Sequence, residues 1–193
     1  AEKARGVTAP IQMYPIFENA LRHARGESIE AHKTRISQLW SGFSAVAANN
    51  PNAWIQKSVS ASEIREASPT NRMVSFPYPK LMNSNNAVDM GAALIMTSVE
   101  QARALAIPES QWVYPWSGTK AHDTYAVSNR DNLYSSPAIR IAGRRALELA
   151  GVEVADLARV DVYSCFPSAV QVAVNELGLD DQKPLTITGG LTF

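Results

Sequence analysis

The residues with the greatest potential for chemistry are Tyr163, Ser164 and Cys165. They lie where a short strand pattern at residues 160–163 gives way to a helical pattern. Side chains at the carboxyl end of a strand in an α/β sheet commonly line a ligand crevice. The amino end of the following helix favours negative charge, which predicts a lowered pKa for the Cys165 thiol. The pattern therefore indicates an acid/base or nucleophilic thiol, although a single cysteine beside Phe166 is also typical of a small buried hydrophobe.

The three histidines give weaker signals. His23 and His32 fall on predicted helices without the spacing of metal ligands, so we expect them on the surface or between helices. His122 is followed by Asp123 in a polar loop and could be catalytic, but no nucleophile accompanies it. The four tryptophans are scattered, which is typical of packing. No metal site is predicted.

The last segment of the chain runs from a strand pattern at 185–188 into Gly189 and Gly190. Glycines at such a place let the backbone turn sharply or approach a ligand closely. Their N–H groups could face an oxyanion. Because the chain does not begin with Met and stops just after this turn, we expect it to be an internal piece of a longer polypeptide.

Helical patterns dominate the first part of the chain, to about residue 80. Apolar residues recur at helical spacing in the first helix, and Tyr14 belongs to that stripe. The prolines in the segment 76–79 predict an extended, semi-rigid connection. Helices are predicted over 11–23, 29–46 and 60–67.

Strand and helix patterns alternate in the second part. The run at 91–96 is continuously small and apolar, which predicts a strand buried on both faces. Helices are predicted over 98–106, 136–150 and 168–177, and strands over 91–96, 112–116, 160–163 and 185–188. This alternation predicts an α/β fold with a parallel or mixed sheet.

Composition excludes several classes of protein. The 193 residues are 46% hydrophobic and 19% charged, so the chain can bury a core. Its 18 basic and 18 acidic residues give no net charge, which argues against a nucleic-acid partner. One cysteine excludes a disulfide within the chain and a Cys-rich zinc site. With no apolar run long enough to span a bilayer and no leader pattern, we expect a soluble, cytoplasmic protein.

Several motifs, taken in order, resemble the carboxyl-terminal half of a thiolase. They are the capped helix at 136–151, the Tyr-Ser-Cys-Phe-Pro loop at 163–167, the Asn-Glu-Leu-Gly-Leu stretch at 175–179 and the Gly-Gly turn. The segment 89–98 resembles the strand that ends the amino-terminal half of that family. The loop and the Gly-Gly-Leu-Thr-Phe segment are similar to those of actinobacterial thiolase-like proteins commonly named acetyl-CoA acetyltransferases, relatives of the sterol-carrier-protein-type thiolases.

The resemblance implies a fold and a division of the chain. The fold would be part of a five-layered αβαβα thiolase architecture. Residues 1–80 would form the helical loop region of the amino-terminal half, and residues 81–118 would end that half and add a linker strand. Residues 119–193 would begin the carboxyl-terminal half.

The resemblance also implies acyl transfer on a coenzyme A thioester, with no covalently bound cofactor. Cys165 would be the acid/base cysteine that moves the proton of the attacking carbon. Tyr163 would take the place of the Asn or His that helps hold the thioester oxygen. Contacts with CoA would come from Ser84, Asn86, Phe166, Gly189 and Gly190. The family's acylated Cys and activating His would lie outside residues 1–193, so the chain alone should be inactive.

Two further functions stay open. Thiolase-fold aldolases use a tyrosine in the same loop, so Tyr163 is compatible with a retro-aldol lyase acting on a CoA thioester. The chain could also belong to a non-catalytic homologue that binds CoA or acyl groups. A homodimer or a partner protein is compatible with each function, and each suggests a place in lipid metabolism.

Overall fold

The computed structural model describes residues 2–193. Its helices are α1 Pro10–Ala24, α2 Ile29–Ala47, α3 Ala61–Arg65, α4 Val99–Ala104, α5 Pro137–Ala150 and α6 Pro167–Leu177. Two short strands, β1 Met73–Ser75 and β2 Tyr78–Pro79, pair antiparallel. All the helices predicted from the sequence form, with ends within a few residues of those expected. Within residues 2–193, no helix combines the length and apolar character needed to cross a bilayer.

Local capping signals explain where the helices begin and end. Ser28, Ser98 and Ser136 each accept a hydrogen bond from the backbone N–H three residues ahead, at the starts of α2, α4 and α5. These bonds satisfy donors that the first helical turn leaves unpaired. Gly151 and Gly178 end α5 and α6 in the left-handed conformation, at φ of +68° and +65°.

The apolar face of α2 is the centre of the core. Ile36, Trp40, Phe43 and Ala47 recur at helical spacing and are almost completely buried. Trp40 and Phe43 stack with ring centroids 5.0 Å apart. Around this face pack α3 and α6, while α1 and α5 contact α6 in turn. Helix α6, which follows the predicted catalytic loop, is therefore held from three sides.

A buried polar network joins α1, α2, β2 and α6. The Glu18 carboxylate is fully buried and accepts hydrogen bonds from His32 Nε2 at 2.6 Å, Gln171 Nε2 at 2.7 Å and the Tyr78 hydroxyl. His32 Nδ1 lies 2.6 Å from the Glu27 carboxylate. His32 Nδ1 also lies 3.1 Å from Nη2 of the Arg35 guanidinium, so the ring is held between two carboxylates and a guanidinium. The network thus surrounds the buried Glu18 side chain with hydrogen-bond partners, as burial of a polar group requires.

Glu27 holds the outer end of this network. Burial raises the pKa of its carboxyl, but hydrogen bonds from Arg35, His32 and Arg25 outweigh that effect and bring the pKa to about 2. The Arg35 guanidinium also donates to Gln171 Oε1 at 2.8 Å. Helix α2 is therefore tied to α6 by a second polar link. His32 therefore lies between helices and His23 lies on the surface, which are the two locations expected for these histidines.

The strands predicted over 91–96, 112–116, 160–163 and 185–188 do not form in the described residues. One hydrogen bond, from Val162 N to Leu185 O at 3.0 Å, links the last two segments. The prediction that 91–96 is buried on both faces is also wrong, since Leu94 is 92% exposed. A strand needs a neighbour that bonds to its N–H and C=O groups in a continuous ladder, and residues 2–193 form no such ladder at these four segments.

The proline-rich segment at 76–79 also differs from its prediction, but here the structure is more regular than expected. Instead of a simple extended connection, it turns sharply at a cis Phe76–Pro77 bond and pairs β1 with β2. Tyr78, in β2, is fully buried. Its hydroxyl donates a hydrogen bond to the Glu18 carboxylate.

We expect removal of the His32 ring to destabilise the fold strongly. In a His32→Ala variant, Glu18 keeps its burial but loses one of its three hydrogen-bond partners, so the free energy of unfolding should fall by about 1–3 kcal/mol. Urea denaturation followed by circular dichroism measures this. The control is His23→Ala, at an exposed site, which should change stability by about 0.5 kcal/mol or less. Equal effects of the two substitutions would contradict a structural role for the network.

Candidate active site around Cys165

Three chain segments meet at the loop that carries Cys165. The backbone N–H of Ser84 donates to the carbonyl of Cys165 at 3.0 Å, and the N–H of Asn85 donates to the carbonyl of Leu191 at 2.8 Å. The N–H of Leu191 in turn donates to Ser164 Oγ at 3.2 Å. The structure therefore brings the three parts of the predicted site together, although Ser84 and Leu191 are more than 100 positions apart in the sequence.

The thiol of Cys165 is almost completely buried, with 5% of the residue exposed. Burial raises its pKa, and the opposing hydrogen-bond contributions of the Tyr14 and Tyr163 hydroxyls and the Phe166 N–H are too small to cancel that effect. The prediction that the helix end lowers this pKa is therefore wrong, because desolvation of the thiolate dominates. At neutral pH the side chain is a protonated thiol, suited to donating a proton.

Tyr163 has the opposite exposure. It is 68% exposed, although it lies only two residues before the buried thiol. Partial burial, followed by the proximity of Cys165, raises the pKa of its phenol. The hydroxyl is therefore a neutral hydrogen-bond donor at neutral pH, and it is open to solvent.

Phe166 lies in the hydrophobic core. Its ring is 1% exposed, so it is not accessible to a CoA molecule as the sequence prediction requires. It stacks on Tyr14 with ring centroids 4.4 Å apart and contacts Tyr78 at 5.3 Å. Tyr14 comes from α1 and was predicted only as part of an apolar stripe. Helical spacing indicates that a tyrosine packs inward, but it does not reveal which group its hydroxyl meets.

The backbone N–H groups of Gly189 and Gly190 form hydrogen bonds within their own turn. Gly189 N donates to Thr186 Oγ1 at 3.1 Å, and Gly190 N donates to Thr188 Oγ1 at 3.3 Å. Both donors are thus occupied by threonine hydroxyls of the same turn. In this geometry they are not free to bind an oxyanion, which differs from the prediction.

Close packing explains why glycines occupy this turn. Both have positive φ, at +100° and +78°. A Cβ at Gly190 would lie 2.5 Å from Ser164 Oγ and 2.7 Å from a ring carbon of Phe43, and one at Gly189 would lie 2.3 Å from Ala47 Cβ. The turn can approach α2 and the Cys165 loop only because it has no side chains.

The loop after β2 contributes polar groups of different exposure. Ser84 is half-buried and Asn86 is exposed. Asn83 is buried and donates from Nδ2 to the Pro79 carbonyl at 2.7 Å. Its Oδ1 has no hydrogen-bond partner among residues 2–193. The family resemblance implies that the loop beginning at Asn83 receives the CoA arm, but it gives Asn83 no role of its own, because nothing in its neighbours distinguishes it from the other asparagines of the loop.

The His122–Asp123 pair does not form a catalytic arrangement. Asp123 accepts hydrogen bonds from Ser136 Oγ at 2.5 Å and Ala138 N at 3.0 Å, at the start of α5. Its carboxylate therefore helps cap that helix. The described part of the chain contains no cluster of three or more histidine, cysteine or acidic side chains able to hold a metal ion.

Two surface cavities lie away from Cys165. One, of about 420 Å³, lies between α2, α6 and residues 181–186. The other, of about 620 Å³, is bordered by the end of α2 and by Ile187. Neither Tyr163 nor Cys165 lines them.

We expect a methyl group at position 190 to disturb the site. Gly190→Ala should lower the free energy of unfolding by about 2–4 kcal/mol, because it adds a strained φ and an overlap with Ser164 and Phe43. Thermal or urea unfolding measures this. The matched control is Gly118→Ala, where an added Cβ has no neighbour within 4 Å. A Gly190→Ala variant as stable as this control would show that the turn is not tightly packed.

Comparison with known proteins identifies the fold. No family model matches the sequence. The crystal structure of a monomeric SCP2-thiolase-like protein type 1 from Mycobacterium smegmatis is 39% identical, with a TM-score of 0.86 over 97% of this chain and 41% of that one. The Ltp2–ChsH2(DUF35) aldolase shares the fold, with a TM-score of 0.69 and 17% identity over 93% of this chain and 46% of that one.

Curated sequences agree with the structural likeness. An acetyl-CoA acetyltransferase of Methanocaldococcus jannaschii is 26% identical over 132 residues, and one of Methanothermobacter thermautotrophicus is 27% identical over 132 residues. Each match covers 68% of this chain and 32% of the relative, so the chain spans about a third of the length of these relatives. Its helices, its loop geometry and these likenesses together make the chain a member of the thiolase-like proteins.

Proposed function

We propose that the full-length protein is an acyl-CoA acyltransferase of the thiolase type. The observation that carries the proposal is Cys165, a protonated thiol near two phenols at the junction of segments 83–85, 163–166 and 189–192. The names of the curated relatives, acetyl-CoA acetyltransferases, support the same activity. The substrate would be a coenzyme A thioester, and no covalently bound cofactor is needed.

The chemistry of thiolysis requires an acid where Cys165 lies. When the carbon–carbon bond of a 3-oxoacyl thioester breaks, the electron pair moves onto the α-carbon of the departing thioester. The Cys165 thiol holds its proton at neutral pH and can deliver it to that carbon, which leaves a thiolate. In the reverse condensation the thiolate would remove the same proton.

Tyr163 suits a second role in the same step. Negative charge develops on the thioester oxygen as the bond breaks, and a fixed hydrogen-bond donor stabilises that charge. The Tyr163 phenol is neutral, exposed and adjacent to the thiol. We assign it this donor role.

The loop at 83–89 would receive the CoA arm. Ser84 and Asn86 offer polar side chains to a ligand at the junction. Asn83 adds a buried Oδ1 without a partner among the described residues, and an amide N–H of the substrate would be a matching donor. The acylated cysteine of the reaction would come from outside residues 1–193, because Cys165 is the single cysteine here.

A retro-aldol lyase acting on a CoA thioester is the second candidate. The exposed Tyr163 favours it, because a phenol beside the thiol gives the site two proton-bearing groups for cleavage of a 3-hydroxyacyl thioester. An aldolase is also among the solved structures with this fold. A homologue that binds CoA or acyl groups without turnover is the third candidate.

Each candidate function gives the protein a place in lipid metabolism in the cytoplasm. A second copy of the chain or another protein would be its partner.

Assays of the full-length protein distinguish the functions. Thiolysis of acetoacetyl-CoA by CoA supports the transferase, aldehyde or ketone release from a 3-hydroxyacyl-CoA supports the lyase, and CoA binding without either reaction supports the binding protein.

Cys165→Ala should abolish thiolysis in the full-length protein while leaving CoA binding nearly unchanged. Loss of a general acid costs about 10²–10⁴-fold in turnover. The measurements are the initial rate of acetoacetyl-CoA consumption and CoA affinity by calorimetry. Intact binding in the variant shows that the site is still folded. Full thiolysis in this variant would remove Cys165 from the mechanism.

Tyr163→Phe should reduce lyase turnover far more than it reduces stability, because the exposed hydroxyl contributes little to packing. A loss of about 10²-fold or more is expected if the phenol transfers a proton. The matched control is Tyr134→Phe, another exposed phenol outside the three segments of the site. Turnover unchanged from this control would rule out the lyase role of Tyr163.

A further inference from the structure

Thr192 lies at the junction of segments 83–85, 163–166 and 189–192 but has no part in the chemistry proposed above. It belongs to the Gly-Gly-Leu-Thr-Phe segment and is 4% exposed. Its hydroxyl accepts a hydrogen bond from Nε1 of the Trp40 indole at 3.1 Å and donates one to the backbone carbonyl of Asn83 at 3.0 Å. A hydroxyl has a single proton to donate, so the Asn83 carbonyl receives it.

That carbonyl belongs to the same peptide group as the N–H of Ser84. The N–H donates to the carbonyl of Cys165 at 3.0 Å. The bond between Asn83 and Ser84 is trans, and a trans peptide group is planar and rigid. A hydrogen bond at its carbonyl end therefore also sets the direction of its N–H end. Through this group, the hydroxyl of Thr192 orients the donor that holds the backbone of Cys165.

These hydrogen bonds form one directed chain from the core to the Cys165 loop. The chain runs from the Trp40 indole through the Thr192 hydroxyl and the peptide group 83–84 to the Cys165 carbonyl. Trp40 is completely buried on α2, so the chain begins at a fixed point. Hydrogen bonds aligned in this way polarise one another, and they are stronger where water is excluded.

Neighbouring bonds attach the same segment without fixing this peptide group. The Asn83 side chain donates from Nδ2 to the Pro79 carbonyl, which ties the side chain to β2. The Asn85 N–H donates to the Leu191 carbonyl, a backbone contact that does not depend on the side chain at position 192. Loss of the Thr192 hydroxyl would therefore leave the segment attached but allow the peptide group 83–84 to turn.

We propose that Thr192 is a positioning residue for Cys165, which it holds against the core of α2 through the peptide group 83–84. The inference rests on the proposed function, in which the Cys165 thiol exchanges a proton with the substrate carbon. Proton transfer requires the two atoms to stay within hydrogen-bonding distance, and a small displacement slows it strongly. Thr192 acts through Ser84, and no bond to Thr192 forms or breaks.

The test is Thr192→Val in the full-length protein. Valine keeps the shape of threonine, and only the hydroxyl is lost. Hydrogen exchange with mass spectrometry and electron-transfer fragmentation gives the exchange rate of the Ser84 amide. We expect this rate to rise roughly tenfold at a temperature where circular dichroism shows a folded variant. An unchanged rate would overturn the proposal. Unprotected exchange of the Ser84 amide in the wild-type protein would overturn it too, without any variant.

Ser44→Ala is the matched control. Ser44 is also a completely buried hydroxyl, and it accepts from the Val59 N–H at 2.9 Å and donates to the Lys57 carbonyl at 3.3 Å. Neither partner belongs to the three site segments. The control should lower the stability of the protein but leave exchange at Ser84 unchanged. Equal acceleration in both variants would mean that general loosening, and not the Thr192 hydroxyl, controls the peptide group, and it would overturn the proposal.

Steady-state kinetics and a rescue variant test the effect on the reaction. Thr192→Val should lower kcat for thiolysis roughly tenfold, whereas Ser44→Ala should keep kcat near the wild-type value while it is folded. Thr192→Ser restores the hydroxyl without the methyl group, so it should restore both kcat and the protection of the Ser84 amide. If Thr192→Ser is as impaired as Thr192→Val, the methyl packing matters instead and the proposal is wrong.

The outcomes separate this inference from the proposed function. If Cys165→Ala keeps full thiolysis, the proposed function fails whatever the exchange at Ser84 shows. If Cys165→Ala is inactive but Thr192→Val has wild-type kcat and wild-type exchange at Ser84, only the inference fails.

Discussion

The buried Glu18 carboxylate is the constraint on which the arrangement of the first and last helices depends. A carboxylate without water must be compensated, and here three donors from α2, β2 and α6 converge on it. Each donor is specific in direction, so the helices can pack in only one relative position if all three bonds are to form. Apolar contacts alone would tolerate sliding of one helix along another. The network therefore fixes the relative positions of these helices next to the Cys165 loop, which hydrophobic burial alone would leave less defined.

The same principle, a balance between burial and hydrogen bonding, decides the chemistry of Cys165. The loop precedes a helix, and the backbone N–H of Phe166 and the nearby tyrosines act to lower the pKa of the thiol. Yet the thiol is almost closed off from water, and desolvation prevails. The outcome is a group that holds its proton at neutral pH. Such an environment suits an acid better than a nucleophile.

Local patterns in the sequence predicted the helices because helices are stabilised by neighbours in sequence. Serine caps, glycine ends and apolar stripes at helical spacing are sufficient for that. The strands could not be predicted in the same way, since a strand needs hydrogen bonds from a distant segment. The local pattern at 91–96 contains no information about which segment that would be. Sequence also identified Cys165 and Tyr163, but Tyr14 and Asn83 depend on tertiary contacts that helical or loop patterns do not encode.

The open apolar run at 91–96 has a practical consequence for work with this 193-residue polypeptide. Leu94, Ile95 and Met96 are each more than four-fifths exposed, and their segment belongs to no sheet within residues 2–193. Stretches of this kind recruit identical stretches from other molecules into intermolecular sheets. Purification of the isolated polypeptide at high concentration would therefore favour precipitation, and a lysine introduced at one of these three positions would improve its solubility.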